Sequence, residues 1–282
     1  MKLVRFGEVG RERPGMMDAE GGIRDLSAIV TDLAGDNLSK ASLRRISAAN
    51  VSNLRLVENV RLGAPVGNVR NFIAVGLNYA DHAKEAGAQI PKEPILFNKA
   101  PSCIVGPNDA IVIPRGSQKT DWEVELAVVI GEAASYVSER EASEVIAGYT
   151  ICHDVSERAF QLEGTGQWMK GKGCPTFGPL GPWLVTPEEI ADVQNLSLWL
   201  DVNGERTQSG STARMIFGVH YLVSYISRFM RLEPGDVITT GTPPGVGMGM
   251  KPPRFLRGGD RVALGIEGLG SQAQFVLETD PH

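Results

Sequence analysis

Hydrophobic and polar residues alternate along much of the chain, and this spacing predicts strands more often than helices. Alternation with a period of two is typical of a strand that buries one face. NFIAVGLN is an apolar run that predicts a buried strand, and the Asn203-Gly204 pair predicts a tight hairpin turn. The other strand candidates are MKLVRFG, AIVIPRG, AGYTICHD, LWLDVNGERTQ, GDRVALGIEGLG and QAQFVLE.

Helical spacing is less common. Apolar residues follow the 3.6-residue period from about Thr212 to Arg231, which predicts one long helix. YADHAKEAG predicts a short helix that Gly87 closes. Many strands with one long helix predict a β-rich α+β fold rather than a doubly wound sheet.

The length of the chain leaves room for a main domain and a small companion. The chain has 282 residues, of which 42% are hydrophobic, enough for a sizeable core. The segment GAPVGN, residues 63–68, is interpreted as a linker. It divides a small N-terminal domain, residues 1–66, from a main domain, residues 67–282.

Charge and cysteine content narrow the possible partners and location. The net charge is −5 with no basic cluster, so neither nucleic acid nor an anionic membrane is expected as a partner. No apolar run approaches the roughly 18 residues of a membrane span, and MKLVRFGEVG lacks the apolar region of a signal peptide. Cys103, Cys152 and Cys174 show no CxxC spacing, which favours reduced thiols and a cytoplasmic protein. A nucleophilic Cys103 or Cys174 is the less favoured alternative to ordinary packing.

Three carboxylates alternate in KTDWEVELAVVIG, residues 119–131: Asp121, Glu123 and Glu125. On one strand they would share a face and repel one another. A solvated edge strand would explain them, but the apolar run that follows favours burial, and buried carboxylates must be paired or hold a cation. Glu123 and Glu125 would lie about 7 Å apart and could converge on one ion.

Candidate partners for this pair lie in other segments. Asp154 ends the strand candidate GYTICHD and is either a third ligand or a turn residue. Two Glu and one Asp form an all-oxygen set that favours Mg²⁺ or Mn²⁺ over Zn²⁺. His82 and Glu85 are neighbours on a helix, and form either a general base with its orienting carboxylate or a solvent-facing ion pair.

Two loops are unusually rich in Gly and Pro. They are WMKGKGCPTFGPLGPW, residues 168–183, and TTGTPPGVGMG, residues 239–249. Neither is a phosphate loop, because neither carries GKS or GKT at the required spacing. They are walls of a site or simple connectors.

Together these segments resemble the fumarylacetoacetate hydrolase family, in its acylpyruvate-hydrolase-like branch. The resemblance implies a mixed β-roll, usually assembled as a homodimer. It rests on six motifs that fall in order between residues 73 and 247: GLNYADHAKE, LFNKAPS, DWEVELAVVIG, HDVSERAFQ, KGKGCPTFGPLGP and TGTPPGVG.

The resemblance also implies a role for individual residues. The metal ligands would be Glu123, Glu125 and Asp154, holding Mg²⁺ with Mn²⁺ as an alternative. The catalytic residues would be His82 and Glu85, which activate water, and Lys172, which stabilises an oxyanion. The substrate contacts would be Lys99, Arg158, Gln161 and Thr242. Asp121 matches no family ligand and is expected to support the site or to pair with a cation.

The activity implied is hydrolysis of a C–C bond in a 2,4-dioxo acid, which gives pyruvate and a carboxylic acid. Four segments resemble the sequences of bacterial hydrolases of 2,4-diketo-3-deoxy-L-fuconate or -rhamnonate in sugar-acid catabolism. They are WEVELAVVIG, SERAFQLE, KGKGCPTFGPLGPWLV and NLSLWLDVNG. Ureidoglycolate lyase, oxaloacetate decarboxylase and keto–enol isomerase are alternatives with the same metal site. A metal- or ligand-binding protein without catalysis is a further alternative, against which the retained His82, Glu85 and Lys172 count.

Overall fold

The computed structural model describes residues 1–85, 87 and 89–279. Its strands, numbered in chain order, are β1 (Lys2–Phe6), β2 (Arg13–Met17), β3 (Ile23–Asp25), β4 (Leu56–Val57), β5 (Leu62–Gly63), β6 (Phe72–Gly76), β7 (Ile95–Lys99), β8 (Ile104–Val105), β9 (Ile111–Ile113), β10 (Thr120–Asp121), β11 (Val124–Ile130), β12 (Ile146–His153), β13 (Ser156–Glu157), β14 (Gly178–Val185), β15 (Ser197–Val202), β16 (Glu205–Ser211), β17 (Val237–Thr239), β18 (Arg261–Ile266) and β19 (Gly270–Glu278). The α-helices are α1 (Lys40–Ser47), α2 (Ala80–Glu85), α3 (Glu139–Val145), α4 (Arg158–Leu162), α5 (Met169–Lys172) and α6 (Val219–Ser227). Short 3₁₀ helices cover Gly35–Leu38, Val51–Asn53, Pro101–Cys103, Pro187–Glu189, Val193–Asn195, Thr212–Arg214 and Gly247–Gly249.

Most strands join one large mixed sheet. Its order is β4-β3-β2-β1-β14-β12-β11-β17-β6-β7, with β5 paired to β1 and β8 paired to β14. A second sheet, in the order β16-β15-β18-β19-β9, packs against β11, β12 and β14. The short strands β10 and β13 form a separate two-stranded sheet. The predicted β-rich α+β fold class is therefore confirmed.

Strand β11 runs through the core of this arrangement. All of its residues are buried, and it pairs with β12 on one edge and β17 on the other. A strand covered on both faces carries a nearly continuous apolar run, as β11 does after Glu125. Burial of a side chain such as Leu126 or Ile130 contributes about 1.5–3 kcal/mol. Glu125 therefore lies on one of the most firmly held strands of the fold.

The prediction of one long helix over residues 212–231 was wrong in its length. The α-helix there is only Val219–Ser227. The backbone N–H groups of Ile216 and Phe217 donate to the carbonyl oxygen and Oδ1 of Asn78, at 2.8 and 2.9 Å. Because these long-range hydrogen bonds occupy the backbone, the apolar spacing there does not continue the helix.

The segment predicted as a linker, residues 63–68, is mostly packed. Leu62–Gly63 forms β5 beside β1, and Ala64 and Val66 are buried. The first strand of the N-terminal segment also joins the large sheet through β14. The division at residue 66 stays a prediction, but an exposed connector does not mark it. No helix among the described residues is long and apolar enough to cross a membrane.

The three cysteines are unpaired in the structure. Cys103 and Cys152 are buried, and Cys174 is partly buried. Burial raises the pKa of the Cys103 thiol to about 11 and also raises the pKa of Cys174. A raised pKa disfavours the reactive thiolate, so the structure gives no support to a nucleophilic cysteine.

Candidate metal centre and active site

The strand predicted across residues 119–131 is interrupted at the point where the chemistry begins. Two residues separate β10 from β11, and two separate β12 from β13. The pairing register is unchanged across this gap, so Glu123 on one side faces Asp154 on the other. The N–H of Asp154 donates to the carbonyl oxygen of Glu123 at 2.9 Å. Glu125, two residues further along, projects to the same face as Glu123.

This arrangement gathers three carboxylates into one buried cluster. One oxygen from each of Glu123, Glu125 and Asp154 lies within 4.8 Å of the others. All three side chains are buried. Carboxylate oxygens are the ligands that Mg²⁺ and Mn²⁺ prefer. The donor set and its spacing therefore fit a hard divalent cation.

Glu125 is the member of the cluster with the strongest need for a cation. Burial raises its pKa well above the ordinary value, and the negative charges of Asp154 and Glu123 add to the effect. Its Oε2 accepts hydrogen bonds from the Thr239 hydroxyl and from the N–H of Gly241, the latter at 2.9 Å. These donors are neutral, so they do not balance the charge of the ionised carboxylate.

Glu123 has the opposite electrostatic environment. Burial alone would raise its pKa, but Lys172 and Arg158 outweigh burial and hold the pKa well below the ordinary value. Lys172 Nζ donates to Glu123 Oε2 at 2.6 Å and to Asp154 Oδ2 at 2.7 Å. Arg158 Nη2 donates to Glu123 Oε1 at 2.6 Å, and its Nε donates to Asp121 Oδ2 at 2.8 Å. The expected pairing of Asp121 with a cation is confirmed.

Lys99, predicted as a substrate contact, is engaged with the protein in this structure. Its side chain is buried, and it does not line the cavity that contains the cluster. Nζ donates to Asp154 Oδ1 at 2.6 Å, to the carbonyl oxygen of Val155 at 3.4 Å and to the carbonyl oxygen of Lys172. These three acceptors use all three of its protons. Lys99 therefore supports Asp154 and the Lys172 backbone from the protein side.

The cluster has more acidic than basic side chains. Four carboxylates meet three basic side chains, which leaves one negative charge when all are ionised. The carboxylates are Asp121, Glu123, Glu125 and Asp154, and the basic side chains are Lys99, Arg158 and Lys172. Buried charge of this kind is stabilised when a metal ion is bound. The negative charge of the cluster and its oxygen ligands therefore both favour a bound divalent cation.

His82 and Glu85 form the predicted pair, and the pair is held in place. His82 Nδ1 lies 3.0 Å from Glu85 Oε2, and His82 lines the same cavity as the carboxylates. The other oxygen of Glu85 accepts the N–H of Gly245 at 2.9 Å. A Cβ at Gly249 would lie 2.8 Å from Glu85 Cδ, so a side chain at this position would require the Glu85 carboxylate to shift. Because Nδ1 of His82 is bound to Glu85, Nε2 is the ring nitrogen that can accept a proton.

The loop at residues 239–249 connects this pair to the carboxylate segment. The N–H groups of Gly247 and Met248 donate to the two oxygens of Asp121 at 2.6 and 3.0 Å. Gly241, Thr242 and Met248 line the cavity. Of the two roles open from sequence, the loop is therefore a wall of the site.

The cavity itself has a volume of about 180 Å³. That is small beside the roughly 300–1,000 Å³ of most ligand pockets, which favours a small substrate.

Trp168, from the other Gly- and Pro-rich loop, packs on the backbone of Gly76, where a Cβ would lie 2.4 Å from the indole ring. The same ring meets Phe97 edge-on, with 5.2 Å between centroids.

The other predicted substrate contacts, unlike Lys99, line the cavity. Gln161 lines it, and its Oε1 accepts Arg158 Nη1 at 2.9 Å. Thr242 lines it as well, while its hydroxyl donates to the Val124 carbonyl oxygen at 2.9 Å. Arg158 lines the cavity, but its three donor nitrogens are directed to protein acceptors. Contact of these side chains with a substrate stays a prediction.

Several wall residues were missed from sequence. Phe97, Trp168 and Met248 lie in quoted motifs, but nothing in the local pattern separates them from ordinary packing residues. Leu77 has φ +51°, a left-handed conformation unusual for a branched side chain, and it also lines the cavity. The available signal was Gly76, whose missing side chain makes room for Trp168.

A larger cleft of about 500 Å³ lies beside the N-terminal strands, but it is a weaker candidate. Its basic side chains are already paired. Arg5 Nε donates to Asp32 at 2.7 Å, and Arg61 donates to Asp109 at 2.8 Å and to Glu12 at 3.1 Å. The smaller cavity has the buried carboxylates and the His–Glu pair, so it is the candidate active site.

Known proteins share this sequence pattern and fold. Residues 71–277 match the family model described as fumarylacetoacetate (FAA) hydrolase C-terminal. A protein of Burkholderia cenocepacia (strain HI2424), provisionally named a hydrolase, is 59% identical over 276 residues, covering 97% of this chain and 98% of that protein. The solved fumarylacetoacetate hydrolase of Exiguobacterium antarcticum is 38% identical with a TM-score of 0.88, covering 99% of each chain. Maleylpyruvate hydrolase of Sphingobium sp. SYK-6, solved with manganese(II) and pyruvate, is 27% identical with a TM-score of 0.82, covering 99% of this chain and 100% of that chain.

Proposed function

Because the chain belongs to the fumarylacetoacetate hydrolase family, we propose that it is a metal-dependent hydrolase that cleaves a C–C bond in a 2,4-dioxo acid. The products are pyruvate and a carboxylic acid. The predicted family and its fold type are confirmed. The observation that carries the proposal is the small cavity that His82 shares with the buried carboxylates Glu123, Glu125 and Asp154.

The proposed reaction begins with the His82–Glu85 pair. Glu85 accepts the Nδ1–H of His82, which leaves Nε2 to take a proton from water. The water oxygen then bonds to C4 of the substrate, and Lys172 donates to the negative oxygen that forms on C4. When the C3–C4 bond breaks, its electron pair stays on the pyruvate fragment. Protonation at C3 gives the methyl group of pyruvate, and C4 becomes the carboxyl carbon of the acid.

We further propose that Glu123, Glu125 and Asp154 hold Mg²⁺, with Mn²⁺ as an alternative. A bound divalent cation supplies a Lewis acid for the negative charge on the 1-carboxylate and 2-keto oxygens of the substrate. The all-oxygen donor set and the net negative charge of the cluster support this assignment. The manganese and pyruvate in the Sphingobium structure also support it.

The proposed roles of the other cavity residues follow from their contacts. Gln161 and Thr242 are proposed as substrate contacts, because both line the cavity. Arg158 is proposed to hold Glu123 and Gln161 in position rather than to bind substrate through a free nitrogen. The first substrates to test are 2,4-diketo-3-deoxy-L-fuconate and -rhamnonate, which the sequence resemblance suggested. A homodimer remains part of the proposal.

The test is pyruvate release from a substrate panel. The panel contains the two sugar acids, simple acylpyruvates, oxaloacetate and ureidoglycolate, each assayed before and after EDTA treatment and with Mg²⁺ or Mn²⁺ restored. We expect release from the dioxo acids, loss with EDTA and recovery with metal. Activity that survives complete metal removal would contradict the metal assignment. If oxaloacetate is the only compound of the panel that is converted, giving pyruvate, the protein is a decarboxylase. If ureidoglycolate is the only compound converted, giving glyoxylate, the protein is the lyase.

A further inference from the structure

The basic groups of the cavity are all engaged with the carboxylate cluster. Among the described residues that line it, the permanently positive side chains are Arg158 and Lys172. Arg158 donates to Asp121, Glu123 and Gln161, and Lys172 donates to Glu123 and Asp154. The carboxylate next to the keto group of a dioxo acid would be bound at this cluster. No further basic side chain among the described lining residues is available for a second carboxylate.

Apart from His82, Gln161 and Thr242, the remaining side chains of the wall are apolar. They are Val75, Leu77, Phe97, Leu162, Trp168 and Met248. Trp168 is fixed by its packing on Gly76 and Phe97, so this part of the wall is rigid rather than adaptable. Leu162 directly follows Gln161 at the end of α4 and is 44% exposed, although it is a large apolar side chain. A charged group placed against such a wall loses hydration without gaining a partner.

On the basis of the proposed function, we infer that this site selects 2,4-dioxo acids with a single carboxylate, whose acyl group is uncharged and ends in an apolar group. Dioxo diacids of the same length are discriminated against. The apolar wall residues, Leu162 and Trp168 above all, determine this specificity. Both sugar acids named above meet the requirement, because each carries one carboxylate and a terminal methyl group.

The experiment compares two substrates that differ only at the far end. They are 2,4-dioxoheptanoate, which ends in a methyl group, and 2,4-dioxoheptanedioate, which ends in a carboxylate. We expect kcat/KM to be at least about tenfold higher for the methyl-ended compound, since an unpaired carboxylate against an apolar wall is costly. Equal or faster cleavage of the diacid would overturn the inference and leave the proposed function intact. Cleavage of neither compound would overturn the inference, and the substrate panel would then decide the proposed function separately.

A pair of variants tests the wall directly. Leu162→Arg places a cation at the cavity, and Leu277→Arg makes the same change on β19 at a side chain that is 49% exposed and outside the cavity. We expect Leu162→Arg to shift the ratio of kcat/KM values toward the diacid by about tenfold or more. Leu277→Arg should leave the ratio unchanged. An unchanged ratio in a folded Leu162→Arg protein would show that the acyl end does not meet this wall.

Discussion

Replacement of Glu125 by glutamine tests the electrostatic account of the metal centre. Glu125→Gln keeps the shape of the side chain but removes the carboxylate whose pKa burial and its neighbours raise. In wild-type protein, a divalent cation at 100 times its dissociation constant stabilises the fold by about 2.7 kcal/mol. For a chain of 282 residues, that raises Tm by about 4–5 °C. In Glu125→Gln the rise should be lost or nearly lost, because one of three ligands is missing.

The same variant predicts a difference in pH dependence for the EDTA-treated proteins. A carboxyl whose pKa is raised on folding holds its proton in the folded state after the unfolded chain has released it. Stability from this group is therefore present below the ordinary Glu pKa of 4.5 and is lost as pH rises through the folded value. The stability of wild type minus that of Glu125→Gln should fall with rising pH, while the contributions of distant groups cancel.

Thermal unfolding at several pH values, with EDTA, Mg²⁺ or Mn²⁺, measures both effects. Glu20→Gln is a suitable control, because Glu20 is exposed and does not line the cavity. It should keep the full metal-induced rise. The reasoning fails if Glu125→Gln keeps the wild-type rise, or if wild type shows none with either metal.

Three other substitutions test the parts around the metal centre. His82→Ala should lower kcat for pyruvate release by about 10²–10⁴-fold, because the proposed base is lost; wild-type turnover would exclude His82 from that role. Lys99→Met should destabilise the fold by about 3–5 kcal/mol in denaturant unfolding, because Asp154 loses a buried partner. Lys119→Met, which removes a surface ion pair to Glu163, should cost no more than about 1 kcal/mol, and equal effects would contradict the account. Gly241→Ala should lower the free energy of unfolding more than Gly259→Ala in the same assay. The two glycines have φ values of +94° and +93°, but of the two only a Cβ at Gly241 meets a neighbour, Asn78 at 2.8 Å. Equal losses would show that the clash is relieved.

The features that local sequence predicted well are those that depend on spacing within one segment. The apolar run of β11 and the Asn203-Gly204 hairpin have the structure that their patterns indicated. The His82–Glu85 contact also depends only on three-residue spacing along a short helix. In each case the physical cause lies within a few residues, so the sequence contains it.

The features that sequence predicted poorly depend on partners far along the chain. The helix expected from residue 212 is shortened because Asn78 binds its backbone. The gap between β10 and β11 is matched by a gap beside Asp154, which no pattern in residues 119–131 could indicate. The contact between Lys99 and Asp154 was not predicted either, since a motif gives a residue type but not the groups that it will contact.

In the proposed reaction, water adds to C4 of a dioxo acid and the C3–C4 bond then breaks. Turnover in H₂¹⁸O with mass analysis of both products tests this step. We expect one ¹⁸O atom in the carboxyl group of the acid derived from C4, with pyruvate formed in equal amount and only when a divalent metal is present. Pyruvate formed without label in the partner acid, or a converted substrate with its C3–C4 bond intact, would contradict it.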